Sequence, residues 1–316
     1  MFGVLAIDKP AGLTSRDVVN RIERLVRPYK VGHTGTLDPL ATGVLLLAVG
    51  RATRLVEFSH GHDKAYEAEF LLGRRSDTLD TEGQVELLPD APLPSRADLQ
   101  QATRQWLGEV QQVPPKFSAL NVNGRRAHDL ARQGVSFELP ARTVHIHRLE
   151  IVAYAPPDLT IRVECGSGTY IRSLGSDLAR CLGSDAVMSR LRRTRIGPFE
   201  LDHCQQLQDL TSSARIAAQL QPAQWLLANM PHIELTSEEA EHIRNGRPLQ
   251  FPTNHPPRLA ALDAAQQLVA VLQQTPSTSD SNDTTPHAIY RSLRVFHHTS
   301  ETDQPSSSSM QHKPES

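Results

Sequence analysis

The chain has 316 residues, of which 39% are apolar, and carries 33 Lys and Arg against 35 Asp and Glu for a net charge of −2. That length predicts two domains plus a tail, with enough apolar content for a sizeable core. No run of ~18 uncharged apolar residues is present, so no membrane span is expected. Cys165, Cys181 and Cys204 lack CxxC spacing, which excludes a disulfide framework or zinc site and predicts buried, inert thiols in a cytoplasmic protein.

The opening MFGVLAIDKPAG has no basic leader or cleavage site, so a signal peptide is not expected. GVLAID reads as a strand that ends in the turn Asp8-Lys9-Pro10-Ala11-Gly12. Thr14 or Ser15 can cap a helix running to about Arg27, with Val18, Val19, Ile22, Leu25 and Val26 on one face.

The stretch Gly32 to Gly50, GHTGTLDPLATGVLLLAVG, organises the chain. Its glycines permit close backbone approach, and Pro39 pushes Asp38 out of the helical region. VLLLAV cannot face water on either side and predicts a central strand. The pattern therefore presents one carboxylate on a stiff loop at the edge of a core. Asp-Pro is also an ordinary turn starter, and local pattern alone leaves both readings open. A phosphate loop is excluded, because the Gly-Lys-Ser/Thr ending is missing.

RATRLVEFS predicts a short helix. AYEAEFLL alternates, placing Tyr66, Ala68, Phe70 and Leu72 on the apolar face of a strand and Glu67 and Glu69 on the other. Asp77, Asp80 and Glu82 do not fit calcium-loop spacing. Ser95 can cap a helix to about Leu107. QVPPKFSAL is a Pro-rich connector, and residues 121–141 form a polar, basic excursion before the strand ARTVHIHRLEIVAY. LTIRVECG alternates as a strand, GSGTYIRSLGSDLARCLG leads through glycines into a helix, and VMSRLRRTRIGPF reads as an Arg-bearing strand with Leu191 as its apolar member. Arg172 near a helix N-terminus opposes the dipole and so predicts an anionic partner. Residues 1–230 hold 27 Lys and Arg against 25 Asp and Glu, and residues 231–316 hold 6 against 10. Six arginines and two aspartates fall within 172–196, and local clusters of this kind leave RNA binding open.

Five segments, VGHTGTLDPLATGVL, KAYEAEFLLGRRSDTLDTEG, VPPKFSAL, GTYIRSLGSDLA and LRRTRIGPF, resemble in order the motifs of the TruB-type tRNA pseudouridine synthases, over most of residues 1–230. The resemblance implies an α/β (α+β) pseudouridine synthase fold with a mixed, mainly antiparallel sheet. It places the catalytic domain at 1–230, with a thumb-like insertion at about 121–141. A PUA-like RNA-binding β-barrel would follow at 231–298, and a disordered tail at 299–316. Asn121 and His128 depart from the lysine and tyrosine usual in that thumb.

The implied reaction detaches uracil from C1′ of a uridine in the T loop of tRNA (position 55 in standard tRNA numbering), turns the base over and rejoins it through C5. By resemblance Asp38 attacks C1′ or removes a C2′ proton, Arg172 keeps it ionised, and Tyr66 stacks on the everted base and assists proton removal. Tyr170 and Leu191 would line the base pocket, and His33 would help open the T loop. No cofactor, metal or membrane is implied. The partner is the T arm of tRNA, and a monomer is expected. Two rivals remain: an RNA-guided relative within a ribonucleoprotein, and a non-catalytic module that binds and remodels tRNA.

Overall fold

The apolar run after Asp38 forms a strand, Thr42–Gly50, in which Gly43 to Val49 are all buried. The computed structural model describes residues 1–252, 255–275 and 287–296. These fall into two compact units, Met1–Asn229 and Met230–Ser316.

In the first unit the elements used below are β1 (Phe2–Lys9), α1 (Ser15–Leu25), β2 (Val31–His33), β3 (Thr42–Gly50), β4 (Lys64–Leu72), α2 (Arg96–Thr103), β5 (Gly108–Gln112), α3 (Ala127–Arg132), β6 (Arg142–Ala155), β7 (Asp158–Cys165), α4 (Ile171–Arg180), β8 (Ala186–Ile196) and β9 (Gln205–Gln206). Ten described strands form one sheet in the order β9-β1-β3-β8-β4-β7-β6-β5, with β2 beside β3 and Phe199–Glu200 beside β8. The β1–β9 and β3–β8 pairs are parallel and the others antiparallel, giving the mixed, mainly antiparallel sheet expected.

Local chemistry explains the helix starts. Thr14 accepts from the Asp17 amide while Asp17 accepts from the Thr14 amide, a reciprocal cap that satisfies two orphan donors. The helix stops at Leu25, short of the expected Arg27, because Pro28 disfavours helical geometry in the residue before it. Val18, Val19 and Ile22 are fully buried on its inner face, each such side chain contributing roughly 1.5–3 kcal/mol by transfer from water. Ser95 caps α2 in the same reciprocal way, but regular helix ends at Thr103 and a 3-10 turn completes the segment to Trp106. The RATRLVEFS segment forms a 3-10 helix, Arg51–Gly61. The excursion at 121–141 contains a small hairpin, Asn121–Val122 with Arg125–Arg126, followed directly by α3.

The β3–β8 contact is short, pairing only Arg192 with Thr42 and Arg193 with Gly43. The loop carrying Asp38 leads into β3 at that point. Gly43 has φ +97°, and a Cβ on it would lie 2.1 Å from the Arg193 carbonyl oxygen. Only glycine allows the two backbones to approach this closely.

In the second unit five strands pair in the order His232–Glu234, Arg258–Leu262, Leu268–Gln274, His287–Val295 and Leu249–Pro252. A helix, Ser237–Arg244, capped by Thr236, covers a core of Leu235, Ile243, Phe251, Leu259, Leu272 and Tyr290. This curled sheet is the PUA-like β architecture. The insertion at 275–287, apart from its end residues, and the tail at 299–316 lie outside the described residues.

The expectation for the cysteines holds in part. Cys165 is buried and its thiol is pushed up to about 11 by burial, Cys204 is half-buried, and Cys181 is exposed on the last turn leaving α4. Among the described residues no group of His, Cys, Asp or Glu converges on a metal-sized site, and no helix is long and apolar enough to cross a membrane.

Candidate active site

Asp38 is fixed from three directions. Ser15 Oγ accepts from the Leu37 amide at 2.8 Å and donates back to the Leu37 carbonyl. Lys9, wholly buried, donates to the carbonyls of Pro10, Leu13 and Pro39, and the Gly12 amide donates to the Pro39 carbonyl at 2.8 Å. From behind, the Arg193 guanidinium donates to the carbonyls of Gly35, Thr36 and Val44. With both flanks tied, the loop offers its one carboxylate in a fixed direction.

Arg172 meets that carboxylate from the first turn of α4. Its Nε lies 3.0 Å from Asp38 Oδ2, and its Nη1 lies 3.4 Å from Asp80 Oδ2. The remaining donors reach the carbonyls of Thr78 at 2.7 Å and Phe117 at 3.0 Å. The helix can come this close to the sheet because of Gly175, where a Cβ would lie 2.0 Å from the Phe70 ring. Asp80 is itself built in: its Oδ1 accepts from Thr78 Oγ1 and from the Glu82 amide, and its loop is tied to β8 through Leu79, Thr81 and Met188. The anionic partner predicted for Arg172 is therefore a pair of aspartates, one within the cleft and one buried behind it.

Electrostatics follow from this enclosure. Burial raises the Asp38 pKa above the ordinary 3.8, and Arg172 and Lys9 oppose the rise without cancelling it. Burial lowers Lys9 to about 8. Tyr66 is 7% exposed, and burial raises its phenol while Arg193, which hydrogen-bonds it, holds it down.

These groups open onto a cleft of about 420 Å³, within the size range of ligand sites. Asp38, Tyr66, Tyr170, Arg172 and Leu191 all line it, together with Arg193. Tyr170 is held through its backbone, whose amide and carbonyl bond the two ends of the buried Gln112 amide at 2.8 and 3.0 Å. His33 is not among the lining residues; its neighbour Thr34 takes that place. Its imidazole Nδ1 is shut from water and unpaired among the described residues, and burial, with Arg16 next, lowers its pKa.

Three elements of the site do not stand out in the sequence. Asp80 reads there only as an acid that fails calcium-loop spacing, and nothing local marks it as an arginine partner. Lys9 reads as part of a turn. Arg193 carried a usable signal: strand alternation from the apolar Leu191 puts it on the same inward face, and it is 1% exposed.

Comparison with known proteins agrees with this architecture. Residues 23–171 match the TruB family pseudouridylate synthase (N terminal domain), 172–230 the tRNA pseudouridylate synthase B C-terminal domain, and 230–278 the tRNA Pseudouridine synthase II, C terminal. The chain is 39% identical to a tRNA pseudouridine synthase B of Moorella thermoacetica, over 92% of this chain and all of that one. It is 42% identical to the protein of the same name from Rhodococcus jostii, over 86% and 90% of the two chains. Among solved structures it resembles a chain of a Cbf5-Nop10-Gar1 complex, with TM-score 0.72 and 26% identity over 94% of this chain and 85% of that one. A chain of an H/ACA RNP bound to a substrate RNA containing 2'-deoxyuridine gives TM-score 0.69 at 26% identity, over 94% and 86% of the two chains. Domain matches along residues 23–278 and full-length relatives near 40% identity establish that the chain belongs to the TruB family of pseudouridine synthases.

Proposed function

We propose that this chain isomerises uridine to pseudouridine in the T loop of tRNA, at position 55 in standard tRNA numbering. The observation that carries the reading is one carboxylate, Asp38, on a rigid loop in a nucleotide-sized cleft, with a guanidinium 3.0 Å away. Asp38 engages the sugar, by attack at C1′ or by removal of the C2′ proton. Either route needs the ionised form, and Arg172 opposes the protonation that enclosure favours.

The everted uracil stacks on Tyr66, between the walls made by Tyr170 and Leu191. A stack on an aromatic ring contributes ~1–3 kcal/mol, against a few for everting a loop base. His33, not among the cleft-lining residues, acts on the loop the base has left. The catalytic domain occupies 1–230, the excursion at 121–141 serves as a thumb over the RNA, and the PUA-like unit adds RNA contacts.

Identity near 40% to proteins called tRNA pseudouridine synthase B, against 26% to chains of a Cbf5-Nop10-Gar1 complex and an H/ACA RNP, supports tRNA as substrate over RNA-guided action within a ribonucleoprotein. A purely binding module has no use for an ion-paired acid in its cleft. The test is turnover of a T-arm hairpin, followed by base analysis, with wild type and Asp38→Asn. Wild type is expected to form pseudouridine. Asp38→Asn is expected to form none while binding the hairpin with nearly unchanged affinity. Turnover in the variant would remove Asp38 from the chemistry, and none in wild type would overturn the reading.

A further inference from the structure

Across the open face of the main sheet, arginines are matched to acids. Arg162 meets Glu67 at 3.3 Å, Arg190 meets Glu69 at 3.1 Å, Arg195 meets Glu164 at 3.0 Å and Arg192 meets Asp8 at 2.9 Å. Two cations that line the cleft are different. Lys64 Nζ donates to the His62 carbonyl at 2.8 Å, and Arg142 Nη2 to the Gly168 carbonyl at 2.6 Å. Neither forms an ion pair among the described residues. Arg142 lies over the Tyr170 ring, 4.7 Å from its centroid, and its Nε is shut from water with no partner among the described residues.

Two further observations fall on the same cleft. Ser118 is 5% exposed, lines the cleft, and its Oγ has no hydrogen-bond partner among the described residues. Ser167, Gly168 and Thr169 of the GSGT segment before α4 also line it, and the amides of the exposed Ser167 and Gly168 make no hydrogen bond among the described residues. Ser118 Oγ and Arg142 Nε are buried without a partner among the described residues, and a buried polar group in a native structure asks for one.

We infer that Lys64, Arg142, the Ser118 hydroxyl and the amides of Ser167 and Gly168 bind a phosphodiester of the RNA strand beside the everted nucleotide. This rests on the proposed function and adds a subsite to it. The chemistry favours phosphate over the base. Uracil is neutral and presents an N–H as well as carbonyls, so a base-reading wall needs an acceptor. This wall offers two full positive charges and N–H and O–H donors, which suits a singly charged group whose free oxygens only accept. Successive free amides form an anion-binding concavity. A phosphate held here fixes the strand on one side while the ribose reaches Asp38, turning backbone binding into orientation at C1′.

The experiment is the salt dependence of T-arm hairpin binding, measured alongside pseudouridine formation for wild type, Lys64→Gln, Lys64→Arg and Arg142→Gln, with thermal melts to confirm folding. Substrate and product carry the same phosphates, so turnover during binding does not disturb the slope. Each lost phosphate contact is expected to reduce the slope of log K against log salt by about 0.7. Lys64→Gln should show that reduction and Lys64→Arg should not. Arg142→Gln should show it too.

A pH arm separates charge from packing. Lys64 is faced by Arg193, Asp63 and Cys165, and burial lowers its pKa to about 8. Raising pH from 7 to 9 should therefore reduce the wild-type slope by about 0.7 but leave the Lys64→Arg slope unchanged, the arginine variant also controlling for titration of the RNA. Slopes equal to wild type in folded Lys64→Gln and Arg142→Gln would overturn the inference while leaving turnover intact. A wild type that binds but forms no pseudouridine would instead fail the proposed function.

Discussion

Arg172 Nε lies 3.0 Å from Asp38 Oδ2, yet burial still leaves the Asp38 pKa above that of a free aspartate. The pair is thus set against its surroundings: enclosure drives Asp38 toward the neutral acid, and Arg172 keeps the carboxylate available. Because the folded-state pKa is raised, ionised Asp38 destabilises the fold, and this contribution is relieved as pH falls through the raised value. Single-turnover rate on a T-arm hairpin is expected to fall on the acid side with a midpoint above 3.8. The melting temperature of Asp38→Asn at neutral pH is expected to equal or exceed wild type. A midpoint at or below 3.8 would contradict the enclosure argument.

Asp80, 3.4 Å from Arg172 Nη1 and almost completely buried, holds the guanidinium from the side away from the cleft. Asp80→Asn keeps the shape and removes the charge. It is expected to lower kcat about 10- to 100-fold, or ~1.4–2.7 kcal/mol in barrier, with KM little changed, because the residue does not line the cleft. Steady-state and single-turnover kinetics check this, and an unchanged kcat would reduce Asp80 to a packing role.

Tyr66 separates stacking from proton removal. Its ring is fixed in β4 and burial raises its phenol pKa, so at neutral pH the hydroxyl can take the C5 proton only by passing its own to an acceptor. Tyr66→Phe preserves the ring. Hairpin affinity is expected to stay near wild type while the rate drops about 100-fold, the low end for a positioned acid–base group. A full-rate phenylalanine variant would confine Tyr66 to stacking.

Gly43 tests whether the backbone junction aims the catalytic loop. With φ +97° and the Arg193 carbonyl 2.1 Å from where a Cβ would stand, Gly43→Ala has to displace β3 from β8. Urea unfolding is expected to show a loss of about 2 kcal/mol or more, in the range for a strained backbone position. The folded fraction should lose rate because Arg193 no longer grips the loop before Asp38. Wild-type stability in this variant would show that the junction yields.

Much of the first unit was legible along the chain. The continuous apolar run could only become an internal strand, the cap candidates at Thr14 or Ser15 and at Ser95 marked two helix starts, and alternation put Tyr66 inward. Asp38 could be singled out because glycines and Pro39 constrain a single acidic residue next to that strand. Where Pro28 or a 3-10 turn shortened a helix, the change was local and modest.

Of the groups around Asp38, the family resemblance supplies Arg172 and the ion pair between the two agrees with it, whereas nothing along the chain marks Asp80 or Arg193 as neighbours of Asp38. Asp80 is 42 positions from it in the chain, Arg172 is 134 and Arg193 is 155. Long-range pairing of β8 with both β3 and β4 brings these segments together, and chain-local patterns do not encode such pairing. Sequence alone determined which residues could be acidic, aromatic or inward-facing, because those properties arise from side-chain chemistry and short-range periodicity. Only the tertiary structure decided that two aspartates share one arginine, that His33 is not among the cleft-lining residues, and that Lys64 and Arg142 line it with no ion pair among the described residues. Those are consequences of which distant backbones approach, and solvent exclusion acts only once they have.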